Sequence, residues 1–207
     1  MVAVDPIQTE VLEDHRVLAG TVGGRIAELI QSRRRENRTV VLGLATGSTP
    51  LGVYRELIRL HQAGKLSFAN VVTFNLDEYY PMAPDRLHAF RRFMRENLFD
   101  HVDLDPSNTH GLRGDVPRAE VAAECARYEA AIRDAGGIDF QLLGIGKTGH
   151  IGFNEPGSSA ESRTRLVSLD LTTRRDAAAD FFGEENVPRE ALTMGVATIL
   201  EAREIAL

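Results

Sequence analysis

Two periods of apolar and polar positions alternate along the chain. Short apolar or β-branched runs at residues 39–44, 70–75, 138–143, 165–169 and 192–196 predict strands. Between them, apolar residues recur every three or four positions, which predicts helices at 7–34, 50–62, 87–99 and 118–135. Gly136 and Gly137 stand directly after the last helix as a stop signal. Such alternation is the mark of an α/β domain, here a Rossmann-like open, mainly parallel sheet with helices on both faces. Residues 202–207 read as the start of another strand, so the expected fold lacks its C-terminal elements. With no internal repeat and no low-complexity linker, residues 1–207 are read as a single domain.

Composition narrows the function classes. A chain of 207 residues buries a core without disulfides or metal, and 43% hydrophobic with 26% charged residues is a soluble globular balance. The net charge of −6 argues against a nucleic-acid partner. Arg33, Arg34 and Arg35 form a basic cluster, but they close a predicted amphipathic helix and Glu36 follows, so they are read as a solvated helix end. No apolar run approaches the ~18 residues of a bilayer span, and MVAVDPIQTE has neither a basic nor an apolar leader region, so a cytoplasmic location without membrane contact is expected. The lone cysteine, Cys125, sits in the helical pattern VAAECARYEAAI and is read as a small buried side chain.

Open α/β sheets bind ligands outside the carboxyl ends of their strands, and three segments here fall at such positions. Residues 45–50, ATGSTP, follow the first predicted strand. Thr46, Gly47, Ser48 and Thr49 offer hydroxyls and backbone N–H groups at a helix start, a setting suited to phosphate. Taken alone the segment reads first as a capped helix, because the lysine of a nucleotide P-loop is missing. Residues 76–79, LDEY, put Asp77 and Glu78 side by side at a strand end, where repulsion and burial can tune one carboxylate into a general base. Their plain alternative is a helix cap or a solvated turn.

The third segment, LLGIGKTGHIGFNEPGSS at 142–159, carries the densest chemistry. Here His150 and Glu155 lie in a glycine-rich loop where an imidazole and a carboxylate can share a proton. Gly144, Gly146 and Gly149 match GxGxxG, with Asp170 at the distance of a ribose-binding acid. A dinucleotide fold needs a helix at once after the third glycine, and Pro156, Gly157, Ser158 and Ser159 leave no room for one. Gly146, Lys147 and Thr148 mimic the end of a Walker motif, but Gln141 occupies its first glycine. A metal reading lacks a third ligand at useful spacing, and the other five histidines are read as surface or cap residues.

Taken in order, LGLATGSTPLGVY, VVTFNLDEY, GIGKTGHIGFNEPGSS, SRTR and VPREALTMGVATI resemble the glucosamine-6-phosphate deaminases. The resemblance runs over nearly the whole chain from Val40. It implies conversion of glucosamine 6-phosphate to fructose 6-phosphate and ammonia, with no metal or organic cofactor and a small sugar phosphate as the partner. By position, Asp77 matches the carboxylate that moves the C2 proton, and His150 matches the ring-opening acid/base. Glu155 matches the carboxylate that orients the imidazole, and Thr46 to Thr49 match the phosphate-holding segment, with Glu78 beside them among the substrate-binding residues. The 6-phosphogluconolactonases share the fold, so a related isomerase or lactonase is the alternative, with a non-catalytic sugar-phosphate sensor as the other.

Three departures from the family pattern carry expectations of their own. Thr148 stands where better-known members have an aspartate, and a neutral hydroxyl stabilises imidazolium less than a carboxylate does, which predicts a weaker ring-opening role. Asp180 stands where the family places a phosphate-binding arginine before Phe181 and Phe182, so either Arg174 or Arg175 turns inward or the substrate differs. Ser158 and Arg165 match an effector site found between subunits of some members, which leaves room for a homo-oligomer, but Val167 replaces its lysine, so allosteric control is expected to be weak or absent.

Overall fold

The computed structural model describes residues 7–207. Helix α1 (His15–Arg35) begins late. Asp14 caps it by accepting from the Val17 N–H at 2.8 Å, and residues 7–14 are not helical, with Ile7 and Val11 exposed. The predicted start at residue 7 is therefore corrected: the cap, rather than the apolar spacing, sets the first turn. The chain continues through β1 (Val40–Leu44), α2 (Leu51–Gln62) and β2 (Val71–Asn75), all close to their predicted positions.

Directly after β2 comes β3 (Asp77–Tyr80), a fully buried strand where a turn or cap was the plain reading of LDEY. Helix α3 (Phe90–Asn97), the short β4 (Thr109–His110) and α4 (Val121–Asp134) follow. Gly136 and Gly137, at φ of +90° and +81°, end α4 as expected, with the Gly137 N–H returning to the Ile132 carbonyl. The remainder is β5 (Phe140–Leu142), β6 (Arg165–Ser168), α5 (Leu171–Ala177), β7 (Glu190–Thr193), α6 (Val196–Leu200) and β8 (Ile205–Ala206).

Two sheets share these strands. The larger is parallel throughout, in the order β4-β2-β1-β5-β8, and β1 supplies its centre as five buried residues in succession. Burial on both faces is why VVLGL is apolar without alternation. Against one face pack α1, α2 and α3, through Ile26, Ile30, Tyr54, Leu57 and Met94; against the other pack α4 and α6, through Tyr128, Ile132 and Ile199. The second sheet, β3-β7-β6, is antiparallel, so β6 and β7 leave the parallel sheet in which the strand pattern places them. Leu76 joins the two: its N–H donates to the Leu44 carbonyl and its own carbonyl accepts from Met194. That junction carries Asp77 across the carboxyl ends of β1 and β2. No described helix is long and apolar enough to cross a membrane.

Candidate active site

A cavity of about 420 Å³ opens at those carboxyl ends. Its wall brings together the segment after β1 (Thr46 to Thr49), the start of β3 (Asp77), the glycine-rich loop after β5 (Gly144 to Lys147, with His150) and α5 (Thr173, Asp176). Parts of the chain a hundred residues apart thus face one space, because the segments after β1, β2 and β5 leave the parallel sheet at the same edge and α5, after β6 of the second sheet, joins them there.

Tyr54 ties the first segment down, donating from its hydroxyl to the Ala45 carbonyl and so fastening α2 to the end of β1. Pro50 is the N-cap of α2, and no side chain caps the helix. The hydroxyls of Thr46, Ser48 and Thr49 are therefore not spent on capping, which overturns the plain reading of ATGSTP. Gly47 holds a left-handed φ of +100° at the apex of this turn.

Asp77 is 7% exposed. Burial, reinforced by the neighbouring Glu78 charge, pushes its carboxyl up to about 8. Glu78 points the other way along the pleat and does not line the cavity. Its carboxylate accepts from the backbone N–H groups of Tyr79 and Phe90 at 3.0 Å and Arg91 at 3.1 Å, which fastens the start of α3. Burial lifts Glu78 to about 7 against the opposing pull of those donors.

His150 stands on the far wall. Its Nδ1 lies 2.9 Å from the Thr148 hydroxyl, and that hydroxyl donates to Glu155 Oε2 at 2.6 Å. A threonine has one proton to give and a carboxylate only accepts, so the Thr148 oxygen must receive the Nδ1 proton. The neutral ring therefore carries its proton on Nδ1 and presents a free lone pair on Nε2. Glu155 is held from its other side by Thr173, whose hydroxyl donates to Oε1, and Oε1 is itself 3.3 Å from Nδ1. Thr148 thus threads a hydroxyl between imidazole and carboxylate, with Glu155 still in reach.

Thr173 was not foreseen. It lies 18 positions beyond Glu155, on a helix capped by Asp170, and no spacing rule links the two. Asp170 itself, at the distance of a ribose acid, accepts instead from the Thr172 N–H. Glycine at 146 has a definite reason: a Cβ there would lie 2.1 Å from His150 Nε2. Gly146→Ala should displace the ring by about 1 Å and lower kcat about a hundredfold, with the melting temperature little changed; a steady-state assay beside a thermal melt checks both.

Other predicted residues lie outside the cavity. Arg165 donates to Asn154 Oδ1 at 2.8 Å and to Ser158 Oγ at 3.3 Å. Asn154 in turn donates to the Met194 carbonyl, so Arg165 and Ser158 brace the loop against β7. Neither arginine before Phe181 turns inward: Arg174 donates to the Glu184 carbonyl, and Arg175 pairs with the Glu184 carboxylate at 3.4 Å. Of the two expected outcomes, an inward arginine and a different substrate, the first is not met, while Asp180 does line the cavity.

A parallel sheet with an imidazole, a buried carboxylate and a hydroxyl-rich turn around one cavity defines an α/β protein built for acid–base work on a small polar ligand. Residues 13–207 match the family described as glucosamine-6-phosphate isomerases/6-phosphogluconolactonase, and the chain belongs to that family. It is 47% identical over 207 residues to a glucosamine-6-phosphate deaminase of Rhodopirellula baltica, covering all of this chain and 80% of that protein. A second relative, glucosamine-6-phosphate deaminase 2 of Bacillus subtilis, is 50% identical over 177 residues, 84% of this chain and 70% of that one. Among solved structures, a monomeric glucosamine-6-phosphate deaminase superposes with a TM-score of 0.88 at 43% identity, covering 94% of this chain and 78% of its own. The 6-phosphogluconolactonase of Thermotoga maritima, at 22% identity and a TM-score of 0.68 over 91% of this chain and 77% of that one, shares the fold.

Proposed function

We propose that this protein is a glucosamine-6-phosphate deaminase, turning glucosamine 6-phosphate and water into fructose 6-phosphate and ammonia. The observation that carries the reading is the shared cavity, with Asp77 and His150 lining one space and the turn of Thr46 to Thr49 beside them. The phosphate sits on that turn, where hydroxyls and free N–H groups supply donors. His150 Nε2 takes the proton of the C1 hydroxyl and returns it to the ring oxygen as the ring opens. Asp77, as carboxylate, removes the C2 proton and delivers it to C1, while the C1 oxygen gains a proton and the C2 amine loses one, which converts the open-chain 2-amino aldose to a 2-imino sugar. Water adds at C2 and ammonia leaves.

The identities to deaminases from two bacteria support the choice of substrate. Incubation with glucosamine 6-phosphate should release ammonia and fructose 6-phosphate in equal amounts; binding without either product would overturn the reading. Asp77 must be ionised to act and its carboxyl is held near 8. On the acid side, kcat/KM should therefore rise about tenfold per pH unit and level off near pH 8. A plateau already reached at pH 6 would show that the base of this step is not a carboxyl raised by burial.

A further inference from the structure

A second cavity, of about 210 Å³, opens beside α3 and shares no lining residue with the first. Arg91 and Arg95 stand four residues apart on one face of α3 and line it, with Phe99 just beyond the helix and Leu104 adding apolar wall. From the sheet comes Asn75, the last residue of β2, only 3% exposed. Its backbone is fixed, because the carbonyl accepts from the Tyr128 hydroxyl at 2.6 Å. Its carboxamide is not: Oδ1 is buried with no hydrogen-bond partner among the described residues. A buried amide left unbonded costs stability that leucine, of similar size, would not, so its place in a cavity wall calls for a ligand. Asp100 also lines the space and lies 3.9 Å from Arg95, but both side chains are 57% exposed, and so loose a pair yields to a better anion.

We infer that this second cavity binds a small hydroxylated oxyanion, a carboxylate or a phosphate monoester with a hydroxyl near its charge. The two guanidinium groups, on the exposed side, take the anion, and their planar forks suit carboxylate and phosphate alike. The Asn75 carboxamide takes the hydroxyl at the buried side. Half a turn about its last bond presents either its carbonyl or its N–H groups, and a hydroxyl can answer both. Phe99 and Leu104 cover the short carbon skeleton between the two ends. Binding here needs no turnover, so failure of the deaminase assay leaves it untouched.

Titration of the whole chain with glycerate and with glycerol 3-phosphate, followed by NMR shifts of the Asn75, Phe99 and Gly111 amides, tests this. At least one of the two should shift those amides saturably, and the tighter one tells carboxylate from phosphate. Acetate, which has no hydroxyl, should bind about tenfold more weakly than glycerate if the carboxylate is preferred, and inorganic phosphate likewise against glycerol 3-phosphate if the phosphate is. Asn75→Leu should cost at least about tenfold in affinity and at the same time raise the melting temperature, since it removes an unbonded buried amide. Arg91→Met together with Arg95→Met should cost more than about tenfold with the melting temperature little changed. No saturable shift from either compound, shifts confined to the Thr46 to Thr49 amides, or unchanged affinity in either variant would overturn the inference. So would a lower melting temperature in Asn75→Leu, which would show that the carboxamide braces the fold.

Discussion

Asp77→Asn should lower turnover by about 10³-fold or more and at the same time make the protein more stable. Both effects come from one cause. The carboxylate sits in a buried strand with its ionised form disfavoured by burial and by Glu78, so the fold bears a cost for keeping a carboxylate in the cavity wall, where the proposed mechanism needs a base. An amide of the same shape removes the charge and with it the ability to take a proton. The direction with pH follows from the raised carboxyl. In the unfolded chain Asp77 loses its proton near the ordinary value of 3.8, whereas in the folded protein it does so only near 8. Between those values the native state binds more protons, so its stability falls as pH rises and the loss is complete above pH 8. The gap between Asp77→Asn and wild type should therefore be small at pH 4 and widen to on the order of 5 kcal/mol at pH 8. For a chain of this length that is roughly 10–20 °C in melting temperature. Denaturant melts of both proteins across that range would read it. A gap that stays flat with pH would mean that the carboxyl is not desolvated in the folded state.

Why this residue was legible as chemistry yet illegible as structure is instructive. LDEY stood out because two carboxylates adjoin a strand end, but a strand is recognised by β-branched or alternating residues, and β3 has neither. All four of its residues are buried, so the period of two is hidden, and the pairing with β7 that makes it a strand is more than a hundred positions away. The same reason displaces β7: the apolar run around Met194 continues into the turn at Gly195, while the ladder to β3 and β6 begins at Glu190. The strands of the parallel sheet were easier, because burial on two faces writes itself as an uninterrupted apolar run such as VVLGL. At the N-terminus the apolar spacing of Ile7 and Val11 continues a helical pattern through Asp14, and only the capping bond distinguishes helix from lead-in. The site divides similarly. Asp77, His150, Glu155 and the ATGSTP turn announce themselves by residue type next to glycine or a strand end. Thr173 does not, since a threonine in an amphipathic stretch has no distinguishing neighbours, and its role comes from α5 folding back over the glycine-rich loop.

Glu155→Gln should be nearly as damaging as loss of the base, although the side chain keeps its shape and touches no substrate. In the native site, two hydroxyls donate to this carboxylate, Thr148 to Oε2 and Thr173 to Oε1, and those donations leave the Thr148 oxygen free to accept from His150 Nδ1. A glutamine presents one acceptor and one donor in the same two places. Whichever threonine meets the amide N–H can no longer donate to it, and when that threonine is Thr148 its proton turns toward the imidazole. The ring then holds its proton on Nε2, the atom that accepts one from the sugar in the proposed mechanism. A histidine locked in the wrong tautomer costs about 10⁴ in kcat in catalytic triads, and about 10³ is expected here because Thr173, 3.4 Å from Nδ1, offers the ring a second oxygen. KM should change little, since the phosphate turn is untouched. Nitrogen-15 shifts of the His150 ring give the separate readout, with the proton on Nδ1 in the wild type and on Nε2 in the variant. Full activity in Glu155→Gln, or an Nε2 proton already present in the wild type, would show that the hydroxyl relay does not set the state of the ring. Restoring a carboxylate nearer to Nδ1, by Thr148→Asp in the Glu155→Gln background, should recover part of the lost kcat, because an acceptor beside Nδ1 again holds the proton there.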